Sequence, residues 1–334
     1  MSRMEKGADD LAVAHSVAIS EVPLIDFAPF RTGNAQERAA VAAKIADACQ
    51  QIGFFYITGH GVSDDLRRNI FAQARRFFAQ SVGEKAACQT SPDWNRGWIP
   101  SQIGSSLTRS SRFFEQFRMQ ADLAQDDPDV LSGSPFYKPN RWPAAMPEMA
   151  AICNAYYTEM ERLSSDLLRV FALGLGLNED RFQNVFRKAL SQLSLHYYPL
   201  IPADAGVDVS NMVAHTDEGP LTILAQDETG GLEVKCRDGS WIAAPPIEGA
   251  FTINVGDMLM WWSNGRYISN LHRVRNRTGV ERYTVPFFLN PDFDTIVEPI
   301  PELVPPGEQP VHAPVHVGRH LMRFYDSFKT LPKE

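Results

Sequence analysis

The chain has 334 residues, of which 44% are hydrophobic and 10% aromatic, with a formal net charge of −8. This is ordinary globular usage. The acidic balance, without a block of Lys and Arg, argues against nucleic acid as a partner, which needs a clustered basic surface. Four scattered cysteines (Cys49, Cys88, Cys153, Cys236) have no Cys-x-x-Cys spacing, so they exclude a cysteine zinc site and give no disulfide framework. No apolar run reaches the length of about 20 residues that spans a bilayer, and the opening residues with Asp9 and Asp10 are unlike a signal peptide. A cytoplasmic protein without membrane contact is expected.

Residues 1–20 read as a flexible tail. Val22 to Asp26 is a short strand signal. Ala35 to Gln51 places Ala39, Ala42, Ala43, Ile45, Ala46 and Cys49 at helical spacing. Gly53 to Thr58 is β-rich. Ser63 is an N-cap, followed by Asp64 and Asp65 in a first turn where acidic groups suit the helix dipole. Asp93 to Ser111 reads as loop, Phe113 to Met119 as a strand, and Ala124 to Pro143 as an extended surface segment. A long helix is expected over Met146 to Leu173, and a short one over Asp180 to Arg187.

From Ser191 the texture changes to short β-rich runs. These are Gln192 to Tyr198, Met212 to Gln226, Leu232 to Cys236, Trp241 to Ala243, Ala250 to Val255, Met258 to Trp262, His272 to Arg275 and Arg282 to Asn290. Asp238-Gly239 marks a hairpin, and Gly256-Asp257 reads as the turn between two core strands. Such a series indicates a sandwich, barrel or jelly roll. Val317 to Phe328 is a closing helix. The expected organisation is a mainly helical region over 21–190 packed on a β core over 191–330, in one cooperative unit.

His215 and Asp217 stand two apart in what reads as one buried strand, so both side chains would leave the same face. A buried carboxylate needs a compensating partner. A divalent metal with His272 as third ligand supplies one; a plain His–Asp hydrogen bond is the alternative. Two His and one carboxylate with open positions is the arrangement of non-haem Fe(II) oxygenases.

Several further stretches carry a resemblance. They are Gly53-Phe-Phe-Tyr-Ile-Thr-Gly-His-Gly-Val62, Leu195-His-Tyr-Tyr-Pro199, His215-Thr-Asp217, Asn254-Val-Gly-Asp-Met-Leu259, Leu271-His-Arg-Val274 and Glu281-Arg-Tyr-Thr-Val-Pro-Phe-Phe288. In this order they resemble the 2-oxoglutarate and Fe(II)-dependent dioxygenases of the isopenicillin N synthase-like family. The resemblance runs from about Val22 to Phe328. It implies an α+β fold with a double-stranded β-helix (jelly-roll) core, flanked by N-terminal helices and a C-terminal helix. It implies Fe(II), 2-oxoglutarate and O2 as cofactors, with His215, Asp217 and His272 as metal ligands. Arg282 and Thr284 fall on the Arg-x-Ser motif that holds the far carboxylate of 2-oxoglutarate, and Tyr198 matches a tyrosine reaching the same group. His196 departs from the family's usual Asn beside the cosubstrate. A surface salt bridge is the alternative for Arg282.

The implied reaction oxidises a small-molecule metabolite by hydroxylation, desaturation or ring closure, releasing succinate and CO2. A 2-oxoglutarate-independent oxidase on the same scaffold, or a jelly-roll binding protein without chemistry, are the competing readings. Substrate contacts are expected from Trp98, Gln102, Arg118, Glu218 and Phe288. Glu218 could face a cationic group but is equally read as solvated or salt-bridged, and Arg118 could face an anionic one. His60 is read as structural, and His312, His316 and His320 as a solvated face. A monomer or weak homo-oligomer is expected.

Overall fold

Two sheets organise the chain. The structure is a computed structural model describing residues 22–91, 94–101, 113–134, 136–200, 211–276 and 278–329, without the side chains of 326–329. The expected tail at 1–20 and Gln102 lie outside the described residues. The strands are β1 (Leu24–Asp26), β2 (Phe54–Thr58), β3 (Gly97–Ile99), β4 (Glu115–Met119), β5 (Gln192–Tyr198), β6 (Met212–His215) and β7 (Leu221–Gln226). They continue with β8 (Leu232–Lys235), β9 (Trp241–Ala243), β10 (Phe251–Val255), β11 (His272–Val274), β12 (Arg282–Leu289), β13 (Ile296–Val297) and β14 (Val315–His316). The helices are α1 (Ala28–Thr32), α2 (Ala35–Gln51), α3 (Asp64–Phe78), α4 (Val82–Ala86), α5 (Pro128–Leu131), α6 (Glu148–Gly174), α7 (Asp257–Trp262) and α8 (Val317–Lys329). None of the described helices is long and apolar enough to cross a membrane.

The larger sheet runs β1-β2-β10-β7-β12-β5-β4-β3, so strands from both halves of the sequence share it. The smaller runs β6-β11-β8-β9. Successive residues of a strand face opposite sides, and the larger sheet uses both. Leu193 and Leu195 of β5, Val285 and Phe287 of β12, Ile223 and Ala225 of β7 and Phe117 of β4 point into the main core with α2, α3 and α6. The opposite residues face the smaller sheet. At one end Phe54 and Tyr56 pack on Leu232, Val234 and Ile242; elsewhere a cavity separates the sheets.

Local signals explain the helices that frame this sandwich. Asn34 caps α2, accepting from the Gln36 and Glu37 amides at 2.9 and 3.1 Å, while Glu37 Oε2 accepts from the Asn34 amide at 2.8 Å. Ser63 caps α3 as expected. The β8–β9 hairpin turns at Asp238-Gly239, with Gly239 at φ 89°.

Five expectations fail. Met258 to Trp262 is not a strand but lies in helix α7, since a short apolar run carries no periodicity to separate the two. Accordingly Gly256 and Asp257 are a helix start rather than a strand-to-strand turn. Met212 to Gln226 is two strands, because Gly219-Pro220 interrupts the ladder and Pro has no amide to donate. Gly97 to Ile99 is a strand rather than loop, paired to β4. Asp180 to Arg187 holds only a 3-10 turn at Gln183–Val185.

His60 is structural. Its Nδ1 accepts from the Val62 amide at 3.1 Å and its Nε2 donates to the Gly249 carbonyl at 3.0 Å, which fixes a neutral ring. Burial pushes its pKa down to about 4; the Gly249 bond opposes this and Arg67 adds to it. The unfolded chain therefore binds more protons between pH 6.5 and about 4, and this contribution to stability is complete above that window and lost on descending it. A His60→Gln variant should show a shallower fall of stability across that interval in pH-dependent thermal melts. Phe287→Ala should cost about 3–5 kcal/mol in urea denaturation, and Phe288→Ala, on the cavity face, clearly less.

Candidate functional site

The register between β6 and β11 sets His215 directly opposite His272. Their ring centroids are 4.2 Å apart. Asp217 lies beyond the end of β6, in the turn before β7, and its Oδ1 is 3.7 Å from both Nε2 atoms. One donor atom from each residue falls within 4.8 Å of the others. The three residues do converge, but shared strand alternation is not the reason. Cross-strand pairing brings the two imidazoles together, and the turn delivers the carboxylate. Nor is β6 a buried strand: it is the edge of the smaller sheet, and Val213 is 44% exposed.

Hydrogen bonds on the outer atoms orient the inner ones. The Val213 carbonyl accepts from His215 Nδ1 at 2.9 Å, and the Asn270 carbonyl from His272 Nδ1 at 3.2 Å. A carbonyl can only accept, so both Nδ1 atoms carry a proton and both Nε2 atoms are turned toward Asp217. Asp217 Oδ2 accepts from Thr222 Oγ1 at 2.5 Å and Asn254 Nδ2 at 2.8 Å, which leaves Oδ1 for the centre. Burial pushes the Asp217 carboxyl up, but His272, His215 and these two hydrogen bonds together hold it below the usual carboxylate value. It is ionised at neutral pH. Such a donor set, two imidazole nitrogens and one anionic oxygen, suits a divalent first-row metal.

The turn is clamped from beneath. The Asp257 amide donates to the Asp217 carbonyl at 2.8 Å and the Gly256 amide to the Pro220 carbonyl at 2.9 Å. A Cβ on Gly256 would sit 2.1 Å from the Gly219 carbonyl oxygen, so only glycine lets the start of α7 approach this closely.

A cavity of about 620 Å³ opens beside the triad, between the two sheets. Its floor is the second face of the larger sheet. Arg282 pairs with Tyr198 and Thr284 with His196 across β12 and β5, placing all four on that face. Arg282 is fully buried. Its Nη2 donates to Gln226 Oε1 at 2.9 Å, while Nε, Nη1 and Thr284 Oγ1 have no hydrogen-bond partner. Buried donors left unpaired are costly, and a carboxylate would satisfy them through the planar guanidinium fork. The guanidinium carbon lies 4.8 Å over the Tyr198 ring. This disposes of the surface salt bridge as an alternative role.

His196 is buried beside this cradle, with Nδ1 3.2 Å from the Tyr198 hydroxyl and rings of Phe114 and Phe288 alongside. Burial, then Arg118 and Arg282, hold its pKa far down, so it is neutral. Phe288 and Arg118 line the cavity as expected. Glu218 also lines it, paired with His320 of α8; His320 is thus no part of a solvated face. Trp98 is a correction. Paired with Phe117, it faces the main core, where Nε1 donates to Glu115 Oε2 at 2.6 Å.

Sequence reasoning does not single out Thr222, Gln226 and Asn254, in strands, or Asn270, in the loop before β11, as supports. The signal was present: polar residues in otherwise apolar strands must find partners.

The comparisons with known proteins agree with this geometry. Residues 22–145 match the family described as non-haem dioxygenase in morphine synthesis N-terminal, and residues 189–291 match the 2OG-Fe(II) oxygenase superfamily. A 2-oxoglutarate-Fe(II) type oxidoreductase of Aspergillus fumigatus is 36% identical over 286 residues, covering 81% of this chain and 83% of that protein. The chain belongs to the 2OG-Fe(II) oxygenase superfamily. Among solved structures, a full-length Neurospora crassa protein in complex with alpha-KG and thymine superposes with a TM-score of 0.82 at 25% identity. The match covers 92% of this chain and 97% of that one. JOX2 in complex with 2OG, Fe and JA gives 0.78 at 28% identity, covering 97% and 91%.

The oxygenase therefore has an α+β fold on a jelly-roll core, and it is a 2-oxoglutarate- and Fe(II)-dependent oxidoreductase acting with O2 on a small molecule. Neither the 2-oxoglutarate-independent oxidase nor the non-catalytic binding protein gains support from these relatives. In the metal-free protein, Thr222→Val should raise the Asp217 pKa toward the ordinary carboxylate value, followed by carbon-detected NMR titration.

Proposed function

We propose that His215 Nε2, Asp217 Oδ1 and His272 Nε2 hold the ferrous ion, and that Arg282, with Thr284 and Tyr198, receives the far carboxylate of 2-oxoglutarate. The observation that carries this reading is the set of buried polar atoms without a hydrogen-bond partner, Nε and Nη1 of Arg282 and Oγ1 of Thr284, on the same cavity wall as the triad. When bound, iron and 2-oxoglutarate would supply, with O2 as the oxidant, decarboxylation to succinate and CO2 coupled to oxidation of a substrate C–H bond.

The protein's part is placement and exclusion of water. Val213 and Asn270 hold the imidazoles in the ligating tautomer, while Thr222 and Asn254 turn one carboxylate oxygen away from the metal. Gln226 fixes one arm of Arg282 and leaves the rest of the fork for the cosubstrate. His196 stands where it can offer a neutral ring nitrogen near the cosubstrate. Phe114 and Phe288 keep that corner apolar. Whether the product is hydroxylated, desaturated or ring-closed depends on where the substrate carbon is held.

We also read residues 21–190 and 191–330 as one cooperative unit, because strands of both share the larger sheet. No disulfide joins the described cysteines, which fits the reducing, cytoplasmic compartment read here. A monomer or weak homo-oligomer remains the expected state.

Succinate release that requires both Fe(II) and 2-oxoglutarate tests the assignment. His215→Ala and Asp217→Ala should each abolish ferrous binding and turnover while melting close to the wild type, since packing of the two sheets does not run through the metal. Arg282→Gln should keep ferrous binding but weaken 2-oxoglutarate by about tenfold or more, a charge-assisted pair contributing about 1.5–3 kcal/mol. Full activity in either triad variant would overturn the assignment.

A further inference from the structure

Arg118 is a second cation on the cavity wall, and the reaction outlined above does not use it. It lies on β4, paired in register with Ser194, while its neighbour Gln116 pairs with His196. It therefore points from the same sheet face as His196, Thr284 and Arg282. The Arg118 guanidinium is held in place by neutral groups: Nε donates to Gln116 Oε1 at 2.9 Å and Nη1 to Asn95 Oδ1 at 2.9 Å. The Tyr325 ring lies 6.0 Å from its guanidinium carbon. Among the described residues no carboxylate comes within ion-pair distance of it.

Three cations buried elsewhere in the fold differ. Lys85 pairs with Glu115, Arg273 with Glu233, and Arg96 is wrapped by the oxygens of Ala121, Gln120 and Phe136. Glu218, the acidic group that lines the same cavity outside the triad, is taken by His320. Burial lowers the Arg118 pKa, as it does those of Arg96 and Arg282.

We propose that Arg118 is the specificity-determining residue of the oxygenase and that its substrate is a carboxylic acid, the carboxylate docking on Arg118 and an apolar body lying toward the metal. This rests on the reading of the triad and Arg282 given above. The sheet fixes the layout. Strands β12 and β5 separate β7, which carries the Asp217 partner Thr222, from β4, which carries Arg118. Three strand spacings are about 14 Å, so the acid and the oxidised carbon stand at opposite ends of the substrate. Phe114, Phe288, Leu321 and Phe324 line the space with apolar surface that suits a hydrocarbon or aryl body. Arg282 is not available for this acid, being in the row with Tyr198 and reserved for the cosubstrate.

The test uses the full chain loaded anaerobically with Fe(II) and 2-oxoglutarate, read by the visible charge-transfer absorption of that complex. Octanoate, decanoate, cinnamate and naphthoate are each titrated against their primary amides. At least one acid should perturb the band with an affinity about tenfold or more above its amide, and Arg118→Gln should remove that preference while Arg118→Lys retains part of it. Equal binding of acid and amide by the wild type, or an acid preference that survives Arg118→Gln, would overturn the proposal. Absence of the band before any acid is added would instead count against the cofactor assignment on which it rests.

Discussion

The arrangement depends on one backbone register. Because His272 of β11 lies directly across from His215 of β6, two imidazoles meet on one side of the smaller sheet. Everything else at the centre converges on that pair. The Gly219-Pro220 interruption ends the strand early and lets Asp217 curl beneath them, and close packing against the start of α7 holds the turn. A shift of one residue in that ladder would send one ring to the opposite face. The carboxylate would then keep Thr222, Asn254 and a single imidazole as partners, and the donor set would lose one nitrogen.

The larger sheet solves a different problem with the same period of two. One face is a hydrocarbon core against α2, α3 and α6, and the other carries Arg282, Thr284, Tyr198, His196, Gln116 and Arg118. Polar groups on that face are organised as supports and receptors. Gln226, Gln116 and Asn95 tie down part of each guanidinium through neutral oxygens. The rest of each positive charge is available to anions that arrive from solution. A sheet face with two such cations at separate positions is costly to fold and useful only when ligands complete it.

Much of this was legible in the sequence where the signal is local. The ends of α2 coincide with the expected Ala35 and Gln51 because a capping box and a regular apolar stripe mark them. Strand β5 also matches its expected Gln192 to Tyr198, bounded by turn residues. The three converging side chains were legible too, yet partly for the wrong reason, since Asp217 is not in the strand with His215. What escaped was long-range. Asn254 reaches Asp217 from β10, and His320 reaches Glu218 from the last helix. Trp98 looked like a cavity residue because the pairing of β3 with β4, which turns it into the core, has no signature within β3 itself. The Met258 to Trp262 run was ambiguous on its own terms, as only its packing against the Asp217 turn selects helix.

The most direct measurement is X-ray absorption at the iron edge of the ferrous protein. The ferrous protein should show a first shell of nitrogen and oxygen only, with scattering from two imidazole rings, and His215→Ala should retain no bound iron after desalting. A sulfur scatterer, an imidazole count other than two, or iron retained in His215→Ala with an unchanged shell would contradict this.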